Sequence, residues 1–206
     1  MKDLEVIATH IRSYFVGEDE AREQTLRLCR QVIQYSARAI HALHHQEQDK
    51  TKQLLDSAYR LVRDINHGLS EHNELLHSGF VHDAQKEFSE ASITLALINK
   101  EPFPKPDDLG VSYAAYLNGL GEAVGELRRY ILDSLRRGDV SRCEKLLGMM
   151  DDIHGVLMAM DFPEAVTHGL RRTTDATRGI IERTRGDLTV ALIQRELETK
   201  LGEFDH

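Results

Sequence analysis

Proline is scarce in this sequence. The 206 residues contain only 4 prolines, whereas average usage corresponds to about ten. Three of them lie between Pro102 and Pro106, so residues 1–101 contain none. Because proline interrupts helices, this distribution excludes a β-sandwich or a loop-rich scaffold and predicts long, uninterrupted helices.

Cysteine and long apolar runs are also rare. Cys29 and Cys143 form no CxxC pair, and two cysteines cannot build a disulfide framework. This usage is typical of a reducing, intracellular setting. The first residues lack the apolar core of a signal peptide, and no stretch approaches the ~20 apolar residues that span a bilayer. We therefore expect a cytoplasmic protein without a membrane partner.

The chain also lacks an excess of positive charge. Asp and Glu number 34 against 26 Lys and Arg, which gives a formal net charge of −8. This balance argues against a simple basic nucleic-acid-binding face. Hydrophobic residues make up 41% and the mean hydropathy is −0.41, as in soluble globular proteins. The length suits a single domain over 1–206.

Apolar residues recur at spacings of three and four almost throughout the chain. No segment shows the alternation of a strand. The pattern therefore predicts an all-α, single-domain bundle of long antiparallel helices. The predicted helices cover about 3–15, 18–45, 49–67, 70–99, 111–137 and 139–160, one that begins near Pro163, and a last one from about 187 to 201. We expect breaks at Gly17 and Gly186, an end of the helix 111–137 at Gly138, and a cap on the next helix from Asp139.

The predicted helix 70–99 carries acids beside its apolar stripe. Asp83, Glu87 and Glu90 line one flank, and Glu87 lies at the edge of the predicted core. A carboxylate at such an edge loses hydration unless it is paired, protonated or bound to a metal. A salt bridge to an arginine of a neighbouring helix remains the alternative. The apolar stripe consists of Phe80, Ala84, Phe88, Ala91, Leu95 and Ile98.

The predicted helix 111–137 carries a second pair of acids, Glu122 and Glu126, one turn apart. From this helix alone the pattern favours a solvated face, held by ion pairs of Glu126 with Arg129 and of Asp133 with Arg136. The opposite, apolar stripe consists of Tyr113, Tyr116, Leu117, Leu120, Val124, Leu127, Ile131 and Leu135.

Together the two pairs offer the oxygen ligands that Mg²⁺ prefers. Two such ions about 4 Å apart can promote phosphodiester cleavage. Acids alone hold RNA poorly, so nearby arginines are required. For each candidate arginine, the alternative is an ordinary solvated surface charge that binds no ligand. The candidates are Arg128, Arg129, Arg38, Arg171, Arg172, Arg178, Arg183 and Arg185.

Other motifs are short. His41 and His45 share a helix face but lack the glutamate of an HExxH zinc motif. Gly119 and Gly121 lie inside a predicted helix rather than after a strand, which argues against dinucleotide binding. We expect these glycines to permit close helix packing.

Three segments together resemble the translin family, specifically its translin-associated factor X (TRAX) branch. They are LRLCRQVIQYSARAIHALHH (26–45), KEFSEA (86–91) and YLNGLGEAVGELRRYILDSLRRGD (116–139). The resemblance extends from about Glu20 to Leu197. It implies a seven-helix fold of the translin type, which assembles into a hollow octamer around single-stranded RNA or DNA. In the TRAX branch it also implies a Mg²⁺-dependent endoribonuclease.

The resemblance assigns roles to individual residues. The catalytic, metal-binding acids of the TRAX branch correspond to Glu87, Glu90, Glu122 and Glu126, with Glu122 in place of an aspartate. The family's basic position corresponds to Arg129. A TRAX lysine is replaced by Ala37 here, whereas Arg38 is kept. Arg129 and Arg38 are therefore the expected nucleic-acid-binding residues.

The expected function is a Mg²⁺-dependent endoribonuclease that cleaves single-stranded RNA as a hollow homo-oligomer, most simply an octamer. Mn²⁺ is a substitute for Mg²⁺, and single-stranded DNA is a further candidate ligand. One alternative is a non-catalytic, translin-like shell that binds single-stranded RNA or DNA. Another is a helical interaction protein that binds no nucleic acid.

Overall fold

The computed structural model describes the backbone of residues 2–204 and the side chains of residues 3–201. This part of the chain forms nine α-helices and no strand, which confirms the all-α prediction. The number differs from the seven helices that the resemblance implies, because six helices are long and three have only four residues. No helix within it is long and apolar enough to cross a membrane. The helices are α1 (Lys2–His44), α2 (Gln48–Gly68), α3 (Asn73–Leu76), α4 (Gly79–Asn99), α5 (Pro106–Leu109), α6 (Tyr113–Arg136), α7 (Cys143–Met158), α8 (Glu164–Thr167) and α9 (Leu170–Phe204).

Two predicted helix breaks are wrong, because α1 runs through Gly17 and α9 runs through Gly186. A glycine inside a helix costs only about 1 kcal/mol relative to alanine. The residues on either side continue each helix despite that cost. The reverse holds for the predicted helix 70–99, which is divided into α3 and α4 by a turn at His77 and Ser78.

Other boundaries agree with the sequence more closely. The proline-rich segment separates α4 from α6, and the short α5 within it begins at Pro106, a favoured first position. Gly138, with φ of +75°, follows the end of α6, as predicted. Asp139 does not cap the next helix. Its carboxylate instead accepts hydrogen bonds from the backbone N–H and the hydroxyl of Ser141, and α7 begins at Cys143.

The chain divides into two compact units. The first unit comprises residues 1–92 and 104–116, and the second comprises 93–103 and 117–206. A single domain over 1–206 therefore stays a prediction.

In the first unit, the second half of α1 packs against α2, whereas the first half of α1 is exposed. Its core includes Val32, Leu43, Ala58, Val62 and Phe88, all nearly or fully buried.

In the second unit, α7 packs against α9, and the core includes Leu127, Ile131, Leu146, Met150 and Leu188. A methyl group on Gly121 would clash with the side-chain methyl of Thr173 on α9 and lie 3.2 Å from Leu157 Cδ1 on α7. This confirms the prediction of close packing for Gly121.

Candidate metal-binding site and adjacent arginines

Glu87 and Glu90 lie one turn apart on α4, within the first unit. Val81, Ala84 and Phe88 on the same helix are buried and fix its orientation. The ring centroid of Phe88 lies 6.3 Å from that of Tyr59. This orientation leaves Glu87 half-buried, at the edge of the core as predicted, and Glu90 only 9% exposed.

The carboxylates of this pair are close to each other. Each offers a ligand oxygen, and these two oxygens lie within 4.8 Å of one another. Lys86 Nζ lies 3.6 Å from Glu87 Oε1. Two negative charges in a partly dehydrated position repel each other and favour a nearby cation. The arrangement therefore has the charge and the donor atoms that a hard divalent ion prefers.

Glu122 and Glu126 lie one turn apart on α6, within the second unit. Both are half-buried, and the side chain of Glu126 is 22% exposed. The favoured interpretation of this face as solvated is correct only in part, because both acids are half-buried and Ala123 beside them is fully buried. Tyr113, assigned to the apolar stripe, is 64% exposed. The small residues of α6 therefore face inward, and their acidic neighbours are half-buried with them.

The ion pairs predicted on α6 do form. Arg129 Nη1 lies 4.0 Å from Glu126 Oε2, and Arg136 Nη1 lies 3.8 Å from Asp133 Oδ1. Such partly exposed pairs contribute little to stability. Arg129 can therefore leave Glu126 and pair with another anion at a small cost in free energy.

Three arginines of α6 line one groove. Arg128, Arg129 and Arg136 surround a space of about 380 Å³, together with Gly125, Leu132 and Asp133. Arg128 is held by Asp187 at 2.8 Å and by the hydroxyl of Thr184 at 3.2 Å. Arg129 and Arg136 are more exposed, at 48% and 83% of their side chains. The groove thus combines one guanidinium held by two close partners with two that are more exposed and make longer ion pairs.

Arg136 was not recognised as a binding candidate from the sequence. The available signal was its spacing of seven residues from Arg129, which places both on one face of a helix. It was assigned instead to an ion pair with Asp133.

Arg38 lies on the exposed side of α1, in the first unit, with its guanidinium carbon 6.0 Å from the Tyr35 ring centroid. Of the other candidate arginines, Arg185 is bound to both carboxylate oxygens of Asp151, at 2.9 and 3.0 Å. That contact gives Arg185 a structural partner on α7, so it is a weaker candidate for binding nucleic acid.

Known proteins resemble this chain over most of its length. No family model matches the sequence. An uncharacterized protein of Methanocaldococcus jannaschii is 30% identical over 196 residues, which are 93% of this chain and 86% of that protein.

Solved structures give the same result. AfC3PO, both free and as a duplex RNA complex, is 34% identical with a TM-score of 0.81, covering 91% of this chain and 97% of that one. Apo-NeC3PO is 16% identical with a TM-score of 0.80 over 89% of this chain and 96% of its own, a likeness of fold alone. The identity over nearly the whole length, together with the shared fold, shows that the chain belongs to the translin family, which includes the C3PO proteins.

Proposed function

We propose that this protein is a TRAX-like, Mg²⁺-dependent endoribonuclease that cleaves single-stranded RNA as a homo-oligomer. The observation that carries the proposal is the pair Glu87 and Glu90, whose carboxylate oxygens lie within 4.8 Å while Glu90 is almost fully buried. Two carboxylate oxygens this close, on a helix whose orientation is fixed by buried neighbours, supply adjacent ligands of the kind that a hard divalent ion prefers.

The donor set fits Mg²⁺, or Mn²⁺ in its place, because all its atoms are carboxylate oxygens. Glu87, Glu90, Glu122 and Glu126 would hold the ion. When bound, the ion would polarise the scissile phosphate and activate a water molecule for attack. The partial burial of each acid limits its competing hydration, so the carboxylates are oriented before the ion arrives.

The arginines supply the positive charge that an acidic site lacks. Arg129 lies one turn beyond Glu126, in the groove that it shares with Arg128 and Arg136. A phosphate in this groove would replace weak ion pairs with charge-assisted hydrogen bonds. Arg38 on α1 is exposed and is the second proposed nucleic-acid-binding residue. AfC3PO, the 34% identical relative, has been solved as a duplex RNA complex, which supports RNA as the ligand class.

Cleavage of labelled single-stranded RNA tests this proposal. With Mg²⁺ we expect cleavage that EDTA abolishes and that Glu87→Gln or Glu122→Gln lowers by about 100-fold or more, since even outer-shell partners of metal ligands contribute about 10–100-fold. Asp83→Asn, an exposed acid on α4, is the matched control that keeps activity. Cleavage that survives both EDTA and Glu87→Gln contradicts the proposal.

The second candidate is a non-catalytic shell that binds single-stranded RNA or DNA. The observation that favours it is the arginine groove, which needs no metal to hold a phosphate backbone. It predicts salt-dependent binding that is unchanged by Glu87→Gln and accompanied by no metal-dependent cleavage. The same RNA substrates therefore separate the two functions.

Homo-oligomer formation is supported by apolar side chains left exposed on the terminal helices. They are spaced by three or four residues, so each helix carries one apolar stripe. Monomers rarely leave such continuous patches in water. The exposed residues are Leu4, Ile7, Ile11 and Phe15 on α1 and Val190, Ile193, Leu197 and Leu201 on α9.

Sedimentation of the purified chain tests the assembly. We expect the mass of an octamer for the wild type and for the control Ser13→Glu, which alters the polar side of α1. Ile11→Glu should shift the mass to smaller species, because it places a charge in the apolar stripe. A wild-type chain that sediments as a stable monomer contradicts the proposed assembly.

A further inference from the structure

One stretch of α1 in the first unit contains no acidic residue. Residues 24–46 include neither Asp nor Glu, although the whole chain carries a formal net charge of −8. With about 3.6 residues per turn, a row of exposed polar side chains in this stretch lies on one side of the helix. We call this row the basic stripe of α1. Its members are Arg27, Arg30, Gln31, Gln34, Arg38, His41 and His45.

The arginines of the stripe are available to an anion. Within the described residues, none of Arg27, Arg30 and Arg38 forms an ion pair with an acid. Arg27 Nε donates only to the backbone carbonyl of Glu23, at 3.3 Å. Like charges on one helix face repel each other. An anion bound here would relieve that repulsion, and no existing ion pair would have to break.

The length of the stripe suits a chain of anions rather than a single one. Acids limit it at both ends, because Glu23 precedes it and Glu47 follows it. From residue 27 to residue 45, at a rise of about 1.5 Å per residue, the stripe extends roughly 27 Å. Phosphates follow each other every few ångströms along one nucleic-acid strand. Several consecutive phosphates can therefore lie along the stripe.

Two stacked histidines complete the stripe at its C-terminal end. His41 and His45 are both exposed, with ring centroids 4.2 Å apart and planes inclined by 21°. The Nδ1 atom of His45 lies 2.9 Å from the backbone carbonyl of His41, a contact that holds the His45 ring in place. Histidine rings are among the aromatic groups on which proteins stack unpaired RNA bases. The pair therefore offers a flat aromatic surface beside a row of cations.

We propose that the basic stripe of α1 binds single-stranded RNA, with its arginines on successive phosphates and its histidine pair against one nucleobase. A positively charged track combined with aromatic side chains is how proteins hold single strands. The two glutamines add amide donors and acceptors for sugars and base edges. The inference rests on the proposed function for its ligand class, RNA. It adds a binding surface on the first unit to the arginine groove of α6.

Salt-dependent binding of labelled single-stranded RNA to the full-length chain, measured in EDTA, tests the arginines. Arg27→Gln/Arg30→Gln should lower affinity and reduce the slope of log affinity against log salt concentration by about 1.4, since each contact contributes about 0.7. Arg60→Gln/Arg63→Gln is the matched control, because it removes two exposed arginines from α2. It should bind like the wild type. Glutamine is a good helix former, so both variants should fold. Equal slopes in the two double variants would overturn the inference.

Base stacking is tested at His45. His45→Ala should weaken RNA binding about fivefold or more, as for one stacked base, whereas His45→Phe should preserve it. A strand of abasic residues keeps the phosphates without the bases, so His45→Ala should bind it like the wild type. His67→Ala is the control, because His67 is exposed in the last turn of α2 and has an arginine one turn earlier. Equal RNA affinity of the two alanine variants would overturn the stacking assignment.

Cleavage in Mg²⁺ separates this inference from the proposed function. At saturating RNA, Arg27→Gln/Arg30→Gln should cleave at the wild-type rate, because only its affinity is lowered. RNA binding that depends on the stripe without any metal-dependent cleavage would support the inference and contradict the nuclease. Metal-dependent cleavage together with RNA binding that is unchanged in both stripe variants would do the reverse.

Discussion

The acid pairs on α4 and α6 occupy different kinds of helix surface. On α4 the pair adjoins a large buried aromatic side chain, Phe88, and its own carboxylate oxygens lie within 4.8 Å. On α6 the pair lies among small buried residues such as Ala123, and an arginine one turn further on reaches Glu126.

This difference explains why one pair was easier to place from the sequence. Large apolar residues at helical spacing indicate which face of α4 is buried, so Glu87 could be located at its edge. Alanine and glycine carry little hydropathy, so the inward face of α6 was assigned to solvent. The comparison teaches that small residues beside acids can mark a closely packed helix surface as well as an exposed one.

The largest loss of stability is expected on α4, where the acid pair adjoins the buried ring of Phe88. Phe88→Ala removes a fully buried ring that packs near Tyr59. Such truncations cost about 3–5 kcal/mol because they leave a cavity. Denaturant unfolding of the variant and the wild type measures this loss. A loss below about 1 kcal/mol would show that Phe88 does not fix the orientation of α4.

Two glycines of α6 test the close packing of the small residues on that helix. Gly121→Ala should destabilise the protein by about 1–3 kcal/mol, the range for overpacked sites, because its methyl group would clash with Thr173. A methyl group added at Gly125 would meet no neighbouring side chain within 4 Å, so Gly125→Ala should instead stabilise by about 0.5–1 kcal/mol. Thermal unfolding of both variants measures the change in stability that each substitution causes. Equal effects of the two substitutions would contradict the close packing at Gly121.

Adjacent arginines on α6 give the smallest expected effect on stability. Arg128 is held by Asp187 and Thr184, whereas Arg129 makes one long, partly exposed ion pair. Arg128→Ala should therefore cost about 1 kcal/mol more than Arg129→Ala, as chemical denaturation of both variants would measure.

RNA binding should show the reverse order for these two arginines. Arg129→Ala should lower RNA affinity and reduce the slope of log affinity against log salt concentration by about one phosphate contact. Arg128→Ala should change both quantities less. Filter binding at several salt concentrations measures both quantities. A salt slope unchanged by Arg129→Ala would exclude Arg129 from phosphate binding.

Much of the fold could be predicted from the sequence. The scarcity of proline and the spacing of apolar residues indicated the helical class, and Gly138 marked the end of α6. The breaks at Gly17 and Gly186 were wrong because a single glycine is too small a penalty to stop a helix whose flanking residues favour it. The division near His77 and Ser78 was missed because neither residue is a strong helix breaker.

The candidate site could be predicted only in part. Periodicity on α4 located Glu87 at the core edge, and the family resemblance supplied all four acids. Periodicity could not reveal the burial of Glu90, at 9% exposure, because that depends on packing far along the chain.

The central claim, that a divalent ion is held by the acids, is tested most directly by thermal unfolding with and without Mg²⁺. An ion that binds only the folded chain raises the unfolding midpoint by mass action. We predict that Mg²⁺ raises the midpoint of the wild type and of the exposed-acid control Asp83→Asn but not of Glu90→Gln. An equal rise in Glu90→Gln would contradict the account.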